Sequence, residues 1–511
     1  MTTTRTTAGS GGTGLRRTVA LWGACGLLLT ACATGGRNDP AAGDVPAELL
    51  PYYRQTLHWE TCPDRPAFQC ATLKAPLDYA RPEAGDIRLG AIRERATGDG
   101  AERIGSLLFN PGGPGGSAID DLVSYTGLFS PAMRAAYDLV AVDPRGVGRS
   151  TPVICPEDTA ATLPESEERE FEDFDAESAR TAAACGKHAG RLLPHVGTLD
   201  TARDLDVVRA LLGDERLHFL GYSYGTYLGA TYAELFPARV GRLVLDGALD
   251  PTLDGYHFYL GQIHGYQVAW EAFAAHCATL PDCPVGRSVT ETNRTLDTMA
   301  DILDRAPLRQ GKDITITGGD LLAAVMNTLN PAAWDVLRQL LGDVRAGDGA
   351  LLQRFLDEDT TVPGDQSYAA ISCLSSPLGP RLTAAQAKAS LPEFLRASPQ
   401  FGALYAVQLP RCAHWPAMPN QPSHPIAAHG SAPILVVGTT RDPATPYVWA
   451  RALAGQLDSG RLLTLDGDGH GAYLLAADTC VDGAVDRYFL LGLLPPAGEV
   501  CRSAPGGRTS G

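Results

Sequence analysis

The chain has 511 residues, of which 44% are hydrophobic and 20% are charged, so it is a globular protein too long for one small core. Its formal net charge of −16 argues against nucleic acid as a partner. We therefore expect either one large domain with an insertion or several domains, without a nucleic-acid surface.

The first residues predict an export leader. Arg5, Arg16 and Arg17 precede an apolar stretch at residues 19–31, which is short for a membrane span and typical of a signal peptide. The segment L-T-A-C, which ends at Cys32, resembles the lipobox of bacterial lipoproteins. We expect a signal peptide at residues 1–31, a lipid anchor at Cys32 on the outer face of the cell membrane, and a flexible tether at residues 32–50. Secretion after ordinary signal cleavage is the alternative.

Ten cysteines follow the leader and Cys32. An even number of cysteines in an exported chain indicates disulfides, and the simplest arrangement joins neighbours in sequence. The chain has no C-x-x-C pair and no H-E-x-x-H motif, so we expect no metal site. The predicted pairs are Cys62–Cys70, Cys155–Cys185, Cys277–Cys283, Cys373–Cys412 and Cys480–Cys501.

Strand and helix patterns alternate in the middle and at the end of the chain. Strands are predicted at residues 104–110, 137–143, 217–221, 240–247, 432–442 and 461–467, and helices at 198–213, 226–236 and 447–457. This alternation predicts an α/β fold with a mostly parallel sheet. Because the pattern turns mainly helical after the fourth strand, we expect a cap inserted there.

These patterns divide the chain into three folded segments. Residues 51–250 and 431–511 would form the two parts of one α/β core with a C-terminal tail, and residues 251–430 would form the cap. Residues 156–180 are rich in acidic side chains. We expect a solvated loop or helix there, with attraction of cationic substrates as the alternative.

The segment G-Y-S-Y-G at residues 221–225 has the G-x-S-x-G pattern, which is weak evidence by itself. Its setting is more specific, because Gly221 ends a predicted strand and a helix is predicted from residue 226. Such a sharp turn exposes the central Ser223 as a nucleophile. His470 after the last strand is the candidate base, and Asp442 at the end of the preceding strand is the candidate acid.

Other residues near the candidate acid and base have simpler expected roles. Asp466 and Asp468 are alternative acids, but their place in the loop of His470 favours turn formation. Thr445 precedes a proline and is expected to cap the following helix, with tuning of the triad as the alternative.

A glycine-rich turn, N-P-G-G-P-G-G-S at residues 110–117, follows the first predicted strand. It is placed to supply one N–H of an oxyanion hole from Gly113, with Gly112 as the alternative, while Tyr224 supplies the other. A phosphate-binding loop is not favoured, because no G-K-[ST] ending follows. We expect no metal and no organic cofactor.

These segments resemble the secreted tripeptidyl aminopeptidases and related proline-type aminopeptidases of actinobacteria, within the α/β-hydrolase superfamily. The matching segments are N-P-G-G-P-G-G-S, D-P-R-G-V-G-R-S at 143–150, the elbow and its helix at 221–237, L-D-G-A-L-D-P at 245–251, T-R-D-P-A-T-P and G-D-G-H-G-A-Y. The cap matches only in placement and cysteine content. The resemblance implies a serine exopeptidase acting on peptides with free N-termini.

An exopeptidase must also bind the substrate ammonium group. Charge alone nominates Glu271, Asp335, Asp357 and Glu358 in the cap. A carboxylesterase or lipase with the same triad is the main alternative function. An epoxide hydrolase or dehalogenase would carry aspartate at position 223, and a non-catalytic binding protein would not need the complete triad.

Overall fold

Twelve strands lie in the computed structural model of the protein, which describes residues 45–100, 102–156, 169–310, 314–361 and 365–502. They are β1 (Glu60–Cys62), β2 (Arg65–Pro76), β3 (Asp86–Glu94), β4 (Gly105–Asn110), β5 (Tyr137–Val142), β6 (Leu217–Tyr222), β7 (Val240–Asp246), β8 (Leu308–Gln310), β9 (Ile314–Ile316), β10 (Ile434–Arg441), β11 (Gly460–Asp468) and β12 (Val500–Arg502). Ten of these strands form one sheet in the order β1-β2-β3-β5-β4-β6-β7-β10-β11-β12, and β8 pairs with β9.

The helices cover both the sheet and the inserted segment. They are α1 (Leu50–Tyr53), α2 (Ala118–Tyr125), α3 (Pro131–Ala136), α4 (Glu170–Ala189), α5 (Thr198–Leu211), α6 (Tyr224–Leu235), α7 (Gly255–Thr279), α8 (Val289–Arg305), α9 (Gly318–Asn327), α10 (Trp334–Arg345), α11 (Ala350–Thr361), α12 (Asp365–Ser372), α13 (Ala384–Ala397), α14 (Gly402–Ala406), α15 (Tyr447–Gln456) and α16 (Thr479–Leu491).

The sheet is parallel from β5 and β4 through to β12, and the strands β1, β2 and β3 form an antiparallel edge beside β5. Every residue of β4 and β5 is buried, because helices cover both faces of a parallel sheet. The predicted α/β class with a mostly parallel sheet is confirmed. All six predicted strands are present, while β1, β2, β3, β8, β9 and β12 were not predicted.

Eight helices, α7 to α14, and the β8–β9 hairpin lie between β7 and β10 within the described residues. We call residues 251–430 the cap segment. Its longest helix, α7, begins after Asp254, whose carboxylate accepts a hydrogen bond from the His257 N–H. The cap segment and the sheet belong to one compact unit. α7 packs on the second part of the core, where the Gln262 side chain donates to the Ala444 carbonyl at 2.7 Å.

Five disulfides join the ten cysteines, each to its neighbour in sequence. They are Cys62–Cys70, Cys155–Cys185, Cys277–Cys283, Cys373–Cys412 and Cys480–Cys501. Three lie in the core and two in the cap segment, and none of the five links the cap segment to the core. Each bridge therefore restrains the unfolded chain within one segment.

The folded part begins before the end of the predicted tether. A helical turn covers Ala47–Leu49. The apolar side chains of Val45 and Leu49 are partly buried against the hydrophobic core. The predicted signal peptide at residues 1–31 and Cys32 lie outside the described residues. No described helix combines the length and apolarity that a membrane crossing requires.

Candidate active site

Ser223 occupies the sharp turn between β6 and α6. Its backbone has φ 52° and ψ −123°, a strained conformation for a residue with a side chain, as a nucleophile at a sharp strand-to-helix turn requires. The Ser223 N–H donates to the Asp246 carbonyl at 3.0 Å, which ties the turn to the end of β7. Helix α6 begins at Tyr224, two residues before the predicted start.

His470 and Asp442 form a hydrogen-bonded pair at the ends of β11 and β10. The His470 Nδ1 lies 2.9 Å from Asp442 Oδ1 and 3.0 Å from Oδ2. Asp442 is 2% exposed and also accepts hydrogen bonds from the N–H groups of Ala444 and Thr445 at 2.9 and 2.8 Å. A carboxylate held in this way keeps a histidine ring oriented and favours the tautomer with hydrogen on Nδ1.

The histidine loop also lies beside the nucleophile strand. The Tyr222 hydroxyl, one residue before Ser223, donates to the Tyr473 carbonyl at 2.7 Å. The structure therefore brings the segments of Ser223, Asp442 and His470 to the carboxyl edge of one parallel sheet, where α/β proteins place their sites.

Charge around His470 favours its protonated form. Burial of the ring lowers the pKa, but the negative charge and hydrogen bond of Asp442, with a contribution from Asp246, outweigh this effect. The net result is a His470 pKa above its ordinary value of 6.5. A base with this property is neutral at pH values above that raised pKa and accepts a proton readily there.

The two alternative acids have another partner. Asp468 and Asp466 bind the Arg441 guanidinium, at 2.6 Å and 3.3 Å. The expectation that Thr445 caps the next helix is wrong, because α15 begins at Tyr447 with Pro446 at its N-cap position. The Thr445 hydroxyl instead donates to Asp442 Oδ2 at 3.0 Å.

Two backbone N–H groups near Ser223 are suited to bind an oxyanion. Tyr224 is the first residue of α6, so its N–H has no acceptor within the helix. In the glycine-rich turn, the Gly112 N–H donates to the Asn110 side chain at 3.1 Å and is thereby occupied. Gly113 is exposed, and its N–H makes no hydrogen bond to the residues that the structure describes. Gly113 therefore suits this role better than Gly112.

Asp143 anchors the glycine-rich turn and was not predicted as a site residue. Its Oδ1 accepts from the Ser117 hydroxyl at 2.8 Å and from the Ile119 N–H at 3.1 Å. Its Oδ2 accepts from the Arg149 N–H at 2.8 Å. Burial raises the pKa of Asp143, and these hydrogen bonds oppose that effect. The carboxylate fixes the end of the turn relative to β5.

The Tyr224 side chain links the nucleophile turn to the cap segment. Its hydroxyl lies 2.9 Å from the Thr198 hydroxyl, which in turn lies 2.9 Å from the Ser375 hydroxyl. Sequence reasoning assigned Tyr224 only a backbone role. The side chain adds a buried connection between α6, α5 and the segment after α12.

The cap residues nominated for ammonium binding have partners within the cap segment or fall outside the described side chains. Glu271 is exposed on α7 and accepts from the Gln267 side chain at 3.0 Å. Asp335 is exposed on α10 and lies 3.7 Å from the Arg338 guanidinium. The side chains of Asp357 and Glu358 on α11 lie outside the described part of the chain.

Gly247 lies directly against the candidate base, and sequence reasoning missed it. It has φ +64°, and a Cβ added there would lie 3.1 Å from both His470 Cε1 and Thr445 Oγ1. We expect Gly247→Ala to displace the imidazole and lower kcat by about tenfold or more, because small misplacements of catalytic groups are costly. The unfavourable φ should also destabilise the fold by about 1 kcal/mol. Steady-state kinetics and thermal unfolding measure the two effects.

Gly213 provides the matched control for this substitution. It also has a positive φ, +80°, but a Cβ there would have no atom within 4 Å. Gly213→Ala should lower the free energy of unfolding and leave kcat unchanged. Equal kcat in Gly247→Ala and the wild-type protein would contradict the expected displacement of His470.

Comparison with known proteins places the chain among serine hydrolases. A family model described as "TAP-like protein" matches residues 398–501. The chain is 32% identical to "Serine protease Hip1" of Mycobacterium tuberculosis over 95% of this chain and 98% of that protein. It is 34% identical to "Carboxylesterase B" of the same species, over 91% of this chain and 94% of that protein. It is 30% identical to "Tripeptidyl aminopeptidase" of Streptomyces coelicolor, over 86% of this chain and 84% of that protein.

These relatives match nearly the whole chain, so the similarity includes both parts of the sheet and the cap segment. The resemblance to tripeptidyl aminopeptidases that the motifs predicted is confirmed. The protein is therefore an enzyme of the serine hydrolase class. The chain belongs to the TAP-like serine hydrolases, a family with the α/β-hydrolase fold.

Proposed function

We propose that the protein is an exported serine exopeptidase of the tripeptidyl or prolyl aminopeptidase type, which hydrolyses peptides from their free N-termini. The observation that carries this proposal is the hydrogen-bonded His470–Asp442 pair beside the strained Ser223 turn. The choice of peptides as substrates is supported by the relatives named serine protease and tripeptidyl aminopeptidase.

In the proposed mechanism, Ser223 Oγ attacks the scissile carbonyl while His470 Nε2 takes the hydroxyl proton. The Asp442 carboxylate stabilises the imidazolium, and the N–H groups of Tyr224 and Gly113 bind the oxyanion. His470 then protonates the departing amine, which leaves an acyl ester on Ser223. Water, deprotonated by His470, hydrolyses this ester and releases the N-terminal fragment. The proposal includes no metal and no organic cofactor.

The proposal also places the protein outside the cytoplasm, with Cys32 as the site of a lipid anchor. Five disulfides support an oxidising compartment, because thiols in the cytosol are kept reduced. The leader at residues 1–31 and the L-T-A-C segment support export and anchoring. Its partners would be peptides with free N-termini and, through the lipid, the membrane.

A requirement for a free substrate amine is the test of the exopeptidase proposal. We expect hydrolysis of a tripeptide nitroanilide with a free N-terminus, and a kcat/KM about 10²-fold or more lower for its N-acetylated form. The reason is that a site built to bind an ammonium group is left with unpaired polar groups when that group is absent. Mass spectrometry of products from a longer peptide then gives the number of residues released.

The second candidate function is a carboxylesterase with the same triad, favoured by the relative named Carboxylesterase B. A simple acyl ester measured in parallel separates the two. Equal rates for free and acetylated nitroanilides, together with a kcat/KM for the ester far above both, would contradict the exopeptidase proposal and favour the esterase.

A further inference from the structure

Asp246 is a buried carboxylate that the proposed mechanism does not use. It is the last residue of β7, which lies between β6 and β10 in the sheet, and its exposure is 0%. Buried carboxylates are uncommon, and those that persist are normally paired with a cation or fully hydrogen-bonded. Asp246 meets neither condition. Its Oδ1 is buried and has no hydrogen-bond partner among the described residues.

The other polar atoms of Asp246 connect two parts of the site. Its Oδ2 accepts from the N–H groups of Ala472 and Tyr473, at 2.9 and 2.8 Å. Its backbone carbonyl accepts from the Ser223 N–H at 3.0 Å. One residue thus holds the nucleophile turn with its main chain and the segment after His470 with its side chain.

We propose that Asp246 is a positioning residue of the active site, which sets the His470 loop in register with Ser223 and places a second negative charge near the imidazolium. This inference rests on the proposed role of His470 as the base. Gly247, the next residue, lies against the His470 ring, so the end of β7 reaches the imidazole directly.

The charged and titratable groups that face Asp246 are few. Burial raises its pKa to about 7, the two N–H donors lower it, the Asp442 charge raises it and His470 lowers it. The phenols of Tyr125 and Tyr222 also face it, and both stay protonated because burial raises their pKa. Asp246 in turn raises the pKa of His470. The partners that matter at neutral pH are therefore Asp442 and His470.

Two substitutions separate the positioning role from the charge. Asp246→Ala removes both the acceptor and the charge, whereas Asp246→Asn keeps an oxygen for the Ala472 and Tyr473 N–H groups. We expect Asp246→Ala to lower kcat by at least about tenfold, and Asp246→Asn to recover most of that loss. Above its pKa of about 7 Asp246 is ionised and favours the imidazolium, so removing its charge in Asp246→Asn lowers the pKa of His470 and should move the acidic limb of kcat/KM to lower pH.

The assay uses the full-length protein and p-nitrophenyl acetate, an activated ester that a triad of this kind hydrolyses whether its natural substrates are peptides or esters. Asp138→Asn is the matched control, because Asp138 is a buried carboxylate near the start of β5, three strands from β7 in the sheet, where it binds Arg103. Its acidic limb should remain at the wild-type pH. Circular dichroism and thermal unfolding establish that each variant is folded.

An unchanged acidic limb in folded Asp246→Asn would overturn the charge role. A kcat of Asp246→Ala within about twofold of wild type would overturn the positioning role. If Asp246→Ala does not fold, the acidic limb of Asp246→Asn decides the charge role, and a kcat of Asp246→Asn more than about tenfold below wild type would contradict positioning by the acceptor oxygen. A wrong assignment of the triad would be recognised separately, because Ser223→Ala would then retain activity. That result does not depend on the activities of the Asp246 variants.

Discussion

Ser223→Ala is expected to lower kcat for every substrate of the enzyme by about 10⁵-fold or more, because the proposed acyl-enzyme cannot form without the hydroxyl oxygen. The loss should appear in kcat, while substrate binding is retained. The fold should also be retained, because the hydrogen bond from residue 223 to the Asp246 carbonyl uses the main chain. Steady-state kinetics and labelling by a fluorophosphonate, which reacts with an activated serine, measure the effect.

Ser124→Ala is the matched control for this result. Ser124 is exposed on α2, so its loss should change neither turnover nor labelling. Undiminished turnover by Ser223→Ala would remove Ser223 from the mechanism, and fluorophosphonate labelling of another serine would identify the replacement.

Asp442→Asn should lower kcat by about 10⁴-fold, because an amide at this position favours the wrong tautomer of His470 and does not stabilise its cation. The change should also move the pH profile. Wild-type activity rises as pH increases through the His470 pKa, which lies above 6.5 because Asp442 outweighs the effect of burial. Without that negative charge the His470 pKa falls, so the acidic limb of the residual activity should lie at lower pH than in wild type.

Asp466→Asn tests whether this effect is specific to Asp442. Asp466 precedes His470 by only four residues, but its carboxylate binds Thr440 and Arg441 rather than the histidine. We expect Asp466→Asn to keep wild-type kcat and the wild-type pH profile. The reverse outcome, a large loss in Asp466→Asn and a small one in Asp442→Asn, would move the acid to Asp466.

The parallel part of the fold was predictable because its strands are continuous apolar runs bounded by turns. β4 and β5 are buried on both faces, so most of their residues are apolar. The strands β2 and β3 were missed because they lie at the antiparallel edge, where exposed and buried positions mix. Their polar residues obscure the local pattern that identifies a strand.

Candidate site residues could be predicted where each had a local motif, and not where the proposed role depends on distant partners. Ser223, Asp442 and His470 each follow a strand, in an order that the fold requires. Asp246 also ends a strand, but its side chain binds residues 472 and 473, which lie more than two hundred positions further along the chain. The capping role expected for Thr445 was wrong for a related reason. The neighbours of Thr445 in sequence suggest a helix cap, and only the folded loop brings its hydroxyl to Asp442.

The disulfides have a consequence for the order in which the chain acquires them. Each pair joins cysteines separated by 6 to 39 residues, and no pair encloses another. When a chain enters an oxidising compartment N-terminus first, both cysteines of each pair enter before the first cysteine of the next pair. Successive closure of neighbours therefore leads directly to the native set, without reshuffling. For the export that we propose, maturation of the bridges can proceed during translocation rather than after it.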